Sequence, residues 1–454
     1  MKTIWQKGNS SQNDREWFDD FTASEDRGYD QYLIPHDIIC NLAQSAMLQK
    51  IGVLTPSEHK SLSDALKSYF SKWEEGSFGL SDEDEDVHSC SEKHLTNDCG
   101  DAGKKIHTGR SRNDQVMTDV RLFLKSRLLK LAGKWMDVLS ELERIVERHP
   151  NTYFAGLTHT QPAMPSSVDA WVAGYQDLLL SDLKALMYAY GEVDRSPLGS
   201  AAGYGAPYFD LDRNLTSKLM GFSEVQNPVT AVQPGRGGQE KRVTDALGYG
   251  ALTFNRMASD VVLFAHPMFG YVTLSDNQTS GSSIMPQKRN PDAWELIRAA
   301  YHPLAGTSAQ LASVSANLTS GYHRDLQITK KAVMDAVFMS DKLATAVKHA
   351  LAGLDFNPEA CAKSLTPEVF ATHEANRLVS GGMPFREAYR EAARAVAEAS
   401  VLSPTDLRNS YTVSGFPGNY DIAAYSKRKQ PVQDWLSAEK QKQDDILHNL
   451  LRSE

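Results

Sequence analysis

The chain is poor in cysteine, carries no excess of basic charge and contains no long apolar run, and each of these lacks removes a class of protein. Four cysteines (Cys40, Cys90, Cys99 and Cys361) in 454 residues are too few for a disulfide framework and read as free thiols. Lysine and arginine number 48 against 57 aspartates and glutamates, a net charge of −9, which argues against a nucleic-acid binder held by overall positive potential. No stretch approaches the roughly 18 charge-free apolar residues of a membrane span. The start, Met1-Lys2-Thr3-Ile4-Trp5-Gln6-Lys7, lacks the apolar core of a secretory signal, so a cytoplasmic location is expected. One local group, His88, Cys90, His94 and Cys99, has a metal-like look. Without a CxxC pair it reads as ordinary helix-surface residues, and no metal is expected.

Proline is missing from Pro56 to Pro150 and again from Pro303 to Pro358, which permits long unbroken helices in both stretches. Val120, Leu124, Leu128, Leu131, Trp135, Val138, Leu142 and Ile145 advance in steps of three and four, with Lys125, Lys130, Lys134, Glu141 and Glu147 on other faces. A helix of about 30 residues and about 45 Å is predicted there. Similar Ala- and Leu-rich stretches lie around 167–190, 238–266, 292–316 and 326–353, and alternating β patterns are scarce. The expectation is a mainly α protein built on a long-helix bundle, with boundaries near 109 and 355. That gives an N-terminal helical domain 1–109, a central bundle 110–355 and a small helical domain 356–454. Apolar stripes this long need long partners, and an oligomer is expected. The acidic run Asp82-Glu83-Asp84-Glu85-Asp86 reads as a solvated entry to a helix, where carboxylates suit the N-terminal dipole.

The most informative segment is the polar loop from Ser275 to Asp292, too long for a mere connector between helical stretches. Asn290-Pro291-Asp292 has the form of a helix start, Asn as N-cap and Pro at the first helical position. With Lys288 and Arg289 beside it, that helix end would attract anions. Gly281 would let the backbone turn so that Ser282 and Ser283 present hydroxyls to a ligand. A flexible loop before a capped helix accounts for Asn290 and Pro291, but not for the whole Ser-Ser-x-Met-Pro-x-Lys-x-Asn-Pro pattern.

That pattern, Gly281-Ser282-Ser283-Ile284-Met285-Pro286-Gln287-Lys288-Arg289-Asn290-Pro291, resembles the signature loop of the fumarase, aspartase and argininosuccinate lyase superfamily. Within it, His107-Thr108-Gly109-Arg110-Ser111-Arg112-Asn113-Asp114-Gln115-Val116 and Tyr322-His323-Arg324-Asp325-Leu326-Gln327 resemble segments typical of argininosuccinate lyases. Gly156-Leu157-Thr158-His159-Thr160-Gln161 is similar to the family's Thr-His motif, and the likeness runs from about Phe21 to Ala388. The resemblance implies a three-domain fold with a twenty-helix core in a homotetramer whose sites are shared between subunits. It also implies reversible anti elimination of argininosuccinate to arginine and fumarate, in arginine biosynthesis, with no cofactor.

By that analogy Ser282 and His159 are the two proton-transfer groups, with Ser282 favoured as base and Lys288 stabilising the developing aci-carboxylate. Serine is a poor base unless its alkoxide is stabilised, so Ser282 would depend on amides and Lys288, while a turn imidazole such as His159 could titrate near neutrality. Ser24, Asn113, Thr158, Asn290, Tyr322, Gln327 and Lys330 fall on substrate-contacting positions, and Arg110 and Arg112 would add positive potential near the anionic end. Ser111 with Asp114 could equally be a helix capping box, and Lys330 with Lys331 a solvated helix face. Two departures stand out: Trp5-Gln6-Lys7-Gly8 where the family begins Trp-Gly-Gly-Arg-Phe, and Gln161-Pro162-Ala163-Met164-Pro165 where it has Gln-x-Ala-Gln-Pro. A sibling lyase, such as one acting on adenylosuccinate, and a crystallin-like structural role are the alternatives.

Overall fold

In the computed structural model, residue 21 and residues 25–81 and 84–452 are described, and they form a mainly helical molecule. The N-terminal part holds α1 (Glu25–Asp30), α2 (Ile34–Lys50), α3 (Pro56–Glu74) and α4 (Val87–Cys99). The centre is a bundle of α5 (Arg112–Arg148), α6 (Val168–Val193), α7 (Gly238–Phe264), the pair α8 (Asp292–Ala299) and α9 (Tyr301–Ser315), and α10 (Ile328–Ala352). Shorter helices follow, and then α11 (Ile422–Leu447), which returns to pack on α5 and α6.

The longest helix, α5, has 37 residues and starts before the predicted stripe. Its entry is a capping box: the Ser111 hydroxyl accepts from the Asn113 amide and the Asp114 carboxylate accepts from the Ser111 amide. Every member of the stripe from Leu124 to Ile145 is buried. On α7, Gly250 lets that helix approach Trp135 of α5, since a Cβ there would lie 2.3 Å from the indole. The stretch expected around 292–316 is two helices broken at Ala300. Pro303, in the first turn of α9, cannot donate the bond that would continue α8, and its ring opposes the carbonyl four residues back.

The α5 and α10 axes run in the same direction. Lys134 bonds the Thr345 hydroxyl at 2.8 Å, Lys348 pairs with Asp137 at 2.9 Å and Arg148 reaches the Leu354 carbonyl at 3.0 Å. Strands are few and short. β1 (Tyr153–Thr158) and β2 (Gln161–Ser167) make an antiparallel hairpin, and β3 (Val272–Leu274) pairs antiparallel with β4 (Leu354–Phe356). On α6 and α7, Leu178, Tyr188, Tyr249 and Leu252 remain exposed. Among the described residues no helix is long and apolar enough to cross a membrane.

Part of the acidic run departs from a solvated entry. Asp82 and Glu83 lie outside the described residues; Asp84 is buried, accepting from the Ser81 amide and hydroxyl and pairing with Lys93. Asp86 is the N-cap of α4. His88 and Cys90 are also buried, not helix-surface residues, because this face of α4 packs toward α2.

Candidate active site

Ser282 lies in the loop between β3 and α8, where its Oγ accepts hydrogen bonds from two backbone amides, Ile284 at 3.3 Å and Met285 at 3.1 Å. Two donors converging on one hydroxyl oxygen favour negative charge there. The same loop is pinned by its own backbone: Ser280 and Asn290 exchange bonds of 3.1 and 2.8 Å, and the Asp292 carboxylate takes the Ser280 amide at 2.9 Å. Asn290 is therefore a rung of this bridge and not the N-cap. The helix begins at Asp292, with Pro291 in the cap position and no side-chain cap.

The anion-attracting end expected here is also narrower than the sequence implied. Arg289 is paired with Asp276 and bonds the Thr279 hydroxyl at 3.1 Å, and the first turn of α8 carries both Asp292 and Glu295. Lys288 is exposed, and among the described residues no ion pair engages its ammonium, so it is the cation this loop can offer a ligand. Gly281 does not take a positive φ, and a Cβ there would meet open space. The turn is made without the glycine's special freedom.

His159 and Thr160 form the two-residue tip of the β1–β2 hairpin, both at positive φ (54° and 59°), and both are exposed. That pair of left-handed residues suits a tight hairpin, but it is normally made by Asn and Gly. Two non-glycine residues held in this region mark a strained tip that presents the imidazole outward. Thr158, the last residue of β1, is exposed beside it.

The remaining candidates lie at the other end of the bundle. Asn113 is in the first turn of α5, half-buried, with no side-chain hydrogen bond among the described residues. Tyr322 stacks under Arg236, whose guanidinium is 5.4 Å from the ring centroid. Gln327 lines a cavity of about 250 Å³ with Asp26, Arg324 and Lys331. Lys330 is buried, 2.8 Å from Asp26 and also paired with Asp30, so it is no solvated helix face. Burial pulls its ammonium down, and the Asp30 and Asp26 carboxylates more than reverse this, holding it above the usual lysine value.

Arg110 is turned inward, donating to the Ile106 carbonyl at 2.9 Å, and Arg112 is 2.8 Å from Asp86. The positive potential expected of these two is largely committed to the protein itself. Beneath them Asp114, missed as anything but a cap, accepts from the Gly199 and Ala201 amides at 2.9 and 2.8 Å. Burial pushes its carboxyl up to about 6 against the opposing pull of those amides. Ser24 lies outside the described residues.

The candidates thus form two groups. His159 and the root of the Ser282 loop sit near the C-terminal ends of α5 and α10, where Phe356 donates to His149 and Ser275 donates to Gly353. Asn113, Tyr322, Gln327 and Lys330 sit near the N-terminal ends of the same helices. A helix the length of α5 spans about 55 Å, so one chain does not bring Asn113 to His159.

The chain matches the family model described as "Lyase" over residues 11–306. It is 40% identical over 391 residues to the argininosuccinate lyase of Thermotoga neapolitana, covering 86% of this chain and 97% of that one. The argininosuccinate lyase of Phocaeicola vulgatus is 40% identical over 420 residues, 92% of each chain. Among solved structures, EDDS lyase in complex with formate superposes with a TM-score of 0.76 at 20% identity, covering 98% of this chain and 97% of that one. A class II fumarase from Schistosoma mansoni gives 0.70 at 14%, covering 84% and 88%. The fold is common to these lyases, and at this level of identity over nearly its whole length the chain belongs to the argininosuccinate lyase family of the fumarase/aspartase superfamily.

Proposed function

We propose that this protein cleaves argininosuccinate reversibly to arginine and fumarate, as a carbon–nitrogen lyase of arginine biosynthesis in the cytoplasm. Ser282 removes a proton from the succinyl carbon next to a carboxylate. The electron pair moves into that carboxylate as a doubly charged aci-anion, which Lys288 and loop amides stabilise. The pair then returns to form the fumarate double bond as the C–N bond breaks, and His159, on the opposite face, protonates the departing guanidinium nitrogen. The observation that carries the reading is the pair of amides on the Ser282 oxygen, since an alkoxide base needs donors already in place.

Thr158 and Asn290 serve the succinyl end, and Asn113, Tyr322 and Gln327 direct hydrogen bonds to the rest of the substrate. Ser24 is assigned to binding by family position alone. Lys330 and Arg110 are likewise assigned to binding by family position, Lys330 acting from behind Asp26, its ion-pair partner in the wall of the cavity that Gln327 lines. The working molecule is a homotetramer with sites shared between subunits and domains divided at 109 and 355. In its favour stand the 55 Å-scale separation of the two residue groups and the exposed Leu178, Tyr188, Tyr249 and Leu252 on bundle helices.

The test is a steady-state assay of purified protein following fumarate absorbance, with adenylosuccinate as the competing substrate. Turnover of argininosuccinate that is lost in Ser282→Ala supports the reading. Turnover of adenylosuccinate alone would assign a sibling lyase, and no turnover of either would leave a structural protein.

A further inference from the structure

Far from the exposed loops, three ionisable side chains meet in the interior with less hydrogen bonding than their burial demands. Asp37 comes from α2, His88 from α4 and Asp119 from α5, and their relative exposures are 0, 4 and 0%. One ligand-capable atom of each lies within 4.8 Å of the others. The His88 Nδ1 is 2.9 Å from the Asp37 Oδ1 and 3.6 Å from the Asp119 Oδ2. Asp37 is held in place by its second oxygen, which accepts from the Asn41 amide at 2.8 Å and from the Ser91 hydroxyl. Asp119 is different: neither carboxylate oxygen has a hydrogen-bond partner, and the His88 Nε2 has none either.

A fully buried carboxylate with two empty oxygens is costly unless something positive meets it. A proton on Asp119, directed at the neighbouring Asp37 carboxylate, would serve one of its oxygens and leave the other empty. The Arg110 guanidinium is near enough to feel the charge, yet its bonds go to the Ile106 carbonyl and toward the Cys40 sulfur. A divalent ion would meet the requirement. Around a tetrahedral centre with bonds of roughly 2.0–2.2 Å, neighbouring ligand atoms lie about 3.4 Å apart, between the 2.9 and 3.6 Å seen here. Two carboxylates and a neutral imidazole also balance a charge of two and suit zinc or its first-row neighbours. Asn41 and Ser91 already orient one ligand in the way metal-bound carboxylates are oriented.

We propose that Asp37, His88 and Asp119 bind one divalent transition-metal ion of the zinc class, which ties α2, α4 and α5 together. Its role is in stability and not in the elimination. The site is closed, so the ion enters as these helices dock, and binding is coupled to folding. The proposal does not depend on which substrate the protein cleaves.

The untagged chain is unfolded in guanidinium with EDTA, then refolded with EDTA, with Zn2+ or with Co2+, desalted, and examined by elemental analysis, visible absorption and thermal melting. Expected are one ion retained per chain, visible d–d bands with Co2+, a melting temperature several degrees above that of the EDTA sample, and loss of retention in Asp119→Asn. Less than a tenth of an equivalent retained, with identical melting in Zn2+ and EDTA, would overturn the proposal. So would retention undiminished in Asp119→Asn, which would place the ion elsewhere. Because the wild-type comparison is decisive alone, a poorly folding variant does not shield the idea.

Discussion

At Ser282 the oxygen is already served by two backbone donors, and this sets what its removal should do. With Ser282 as the proposed base, Ser282→Ala is expected to lower kcat for argininosuccinate cleavage by about 10²–10⁴-fold with little change in KM, since a group acting on the proton and not on affinity shows itself in that way. A fall in affinity with kcat intact would instead make it a binding residue. Asp114 gives a prediction of a different kind. Its folded carboxyl titrates at about 6, above the ordinary 3.8. Between those values the folded chain holds a proton that the unfolded chain has released, so this group's contribution to stability falls as pH rises through the window. Compared with Asp114→Asn by denaturant unfolding, the wild type should therefore gain relative stability from pH 7 down to pH 4.5. A pH-independent difference would mean that the three amides on Asp114 just offset its burial, and a difference of opposite sign that they outweigh it.

Helices are the part of this structure that the sequence announces most clearly, because an apolar stripe at three- and four-residue spacing has one geometric meaning and proline was missing where it would interfere. The stripe on α5 is buried as its spacing implied, yet the helix is longer, since its first turn is set by the Ser111–Asp114 cap and not by apolar residues. The break at Ala300 was legible in Pro303 but was masked by an unbroken Ala- and Leu-rich composition. What could not be read was long-range meeting. Asp37, His88 and Asp119 are 51 and 31 residues apart in the chain, and no spacing rule joins them. Lys330, expected at a substrate-contacting position, could also be read as half of a solvated Lys-Lys pair because its partners, Asp26 and Asp30, lie 304 and 300 residues away. Helix packing offers its own test at Gly250. An alanine there would put a methyl against the ring of Trp135, itself fixed edge-on to Phe254, and should destabilise the fold by about 1–3 kcal/mol in guanidinium unfolding. An unchanged midpoint would mean that α5 and α7 can part without loss.

For the whole molecule, the separation of the two residue groups predicts rescue between inactive partners. Asn113→Ala and His159→Asn variants, each severely impaired, are expected to regain activity when their subunits are exchanged within the proposed assembly. A site needing Asn113 from one chain and His159 from another would be intact with probability one half times one half, about one site in four. No rescue, with exchange demonstrated by mass spectrometry, would mean that Asn113 and His159 do not serve a common site. The long helix also acts as a gauge block and a crankshaft at once. Adding or deleting a single residue within Arg112–Arg148 would alter the distance between its ends by about 1.5 Å and rotate one end against the other by about 100°. Surface substitutions along this rod should therefore be tolerated far more readily than any change in its length, and evolution can repaint it but hardly re-cut it.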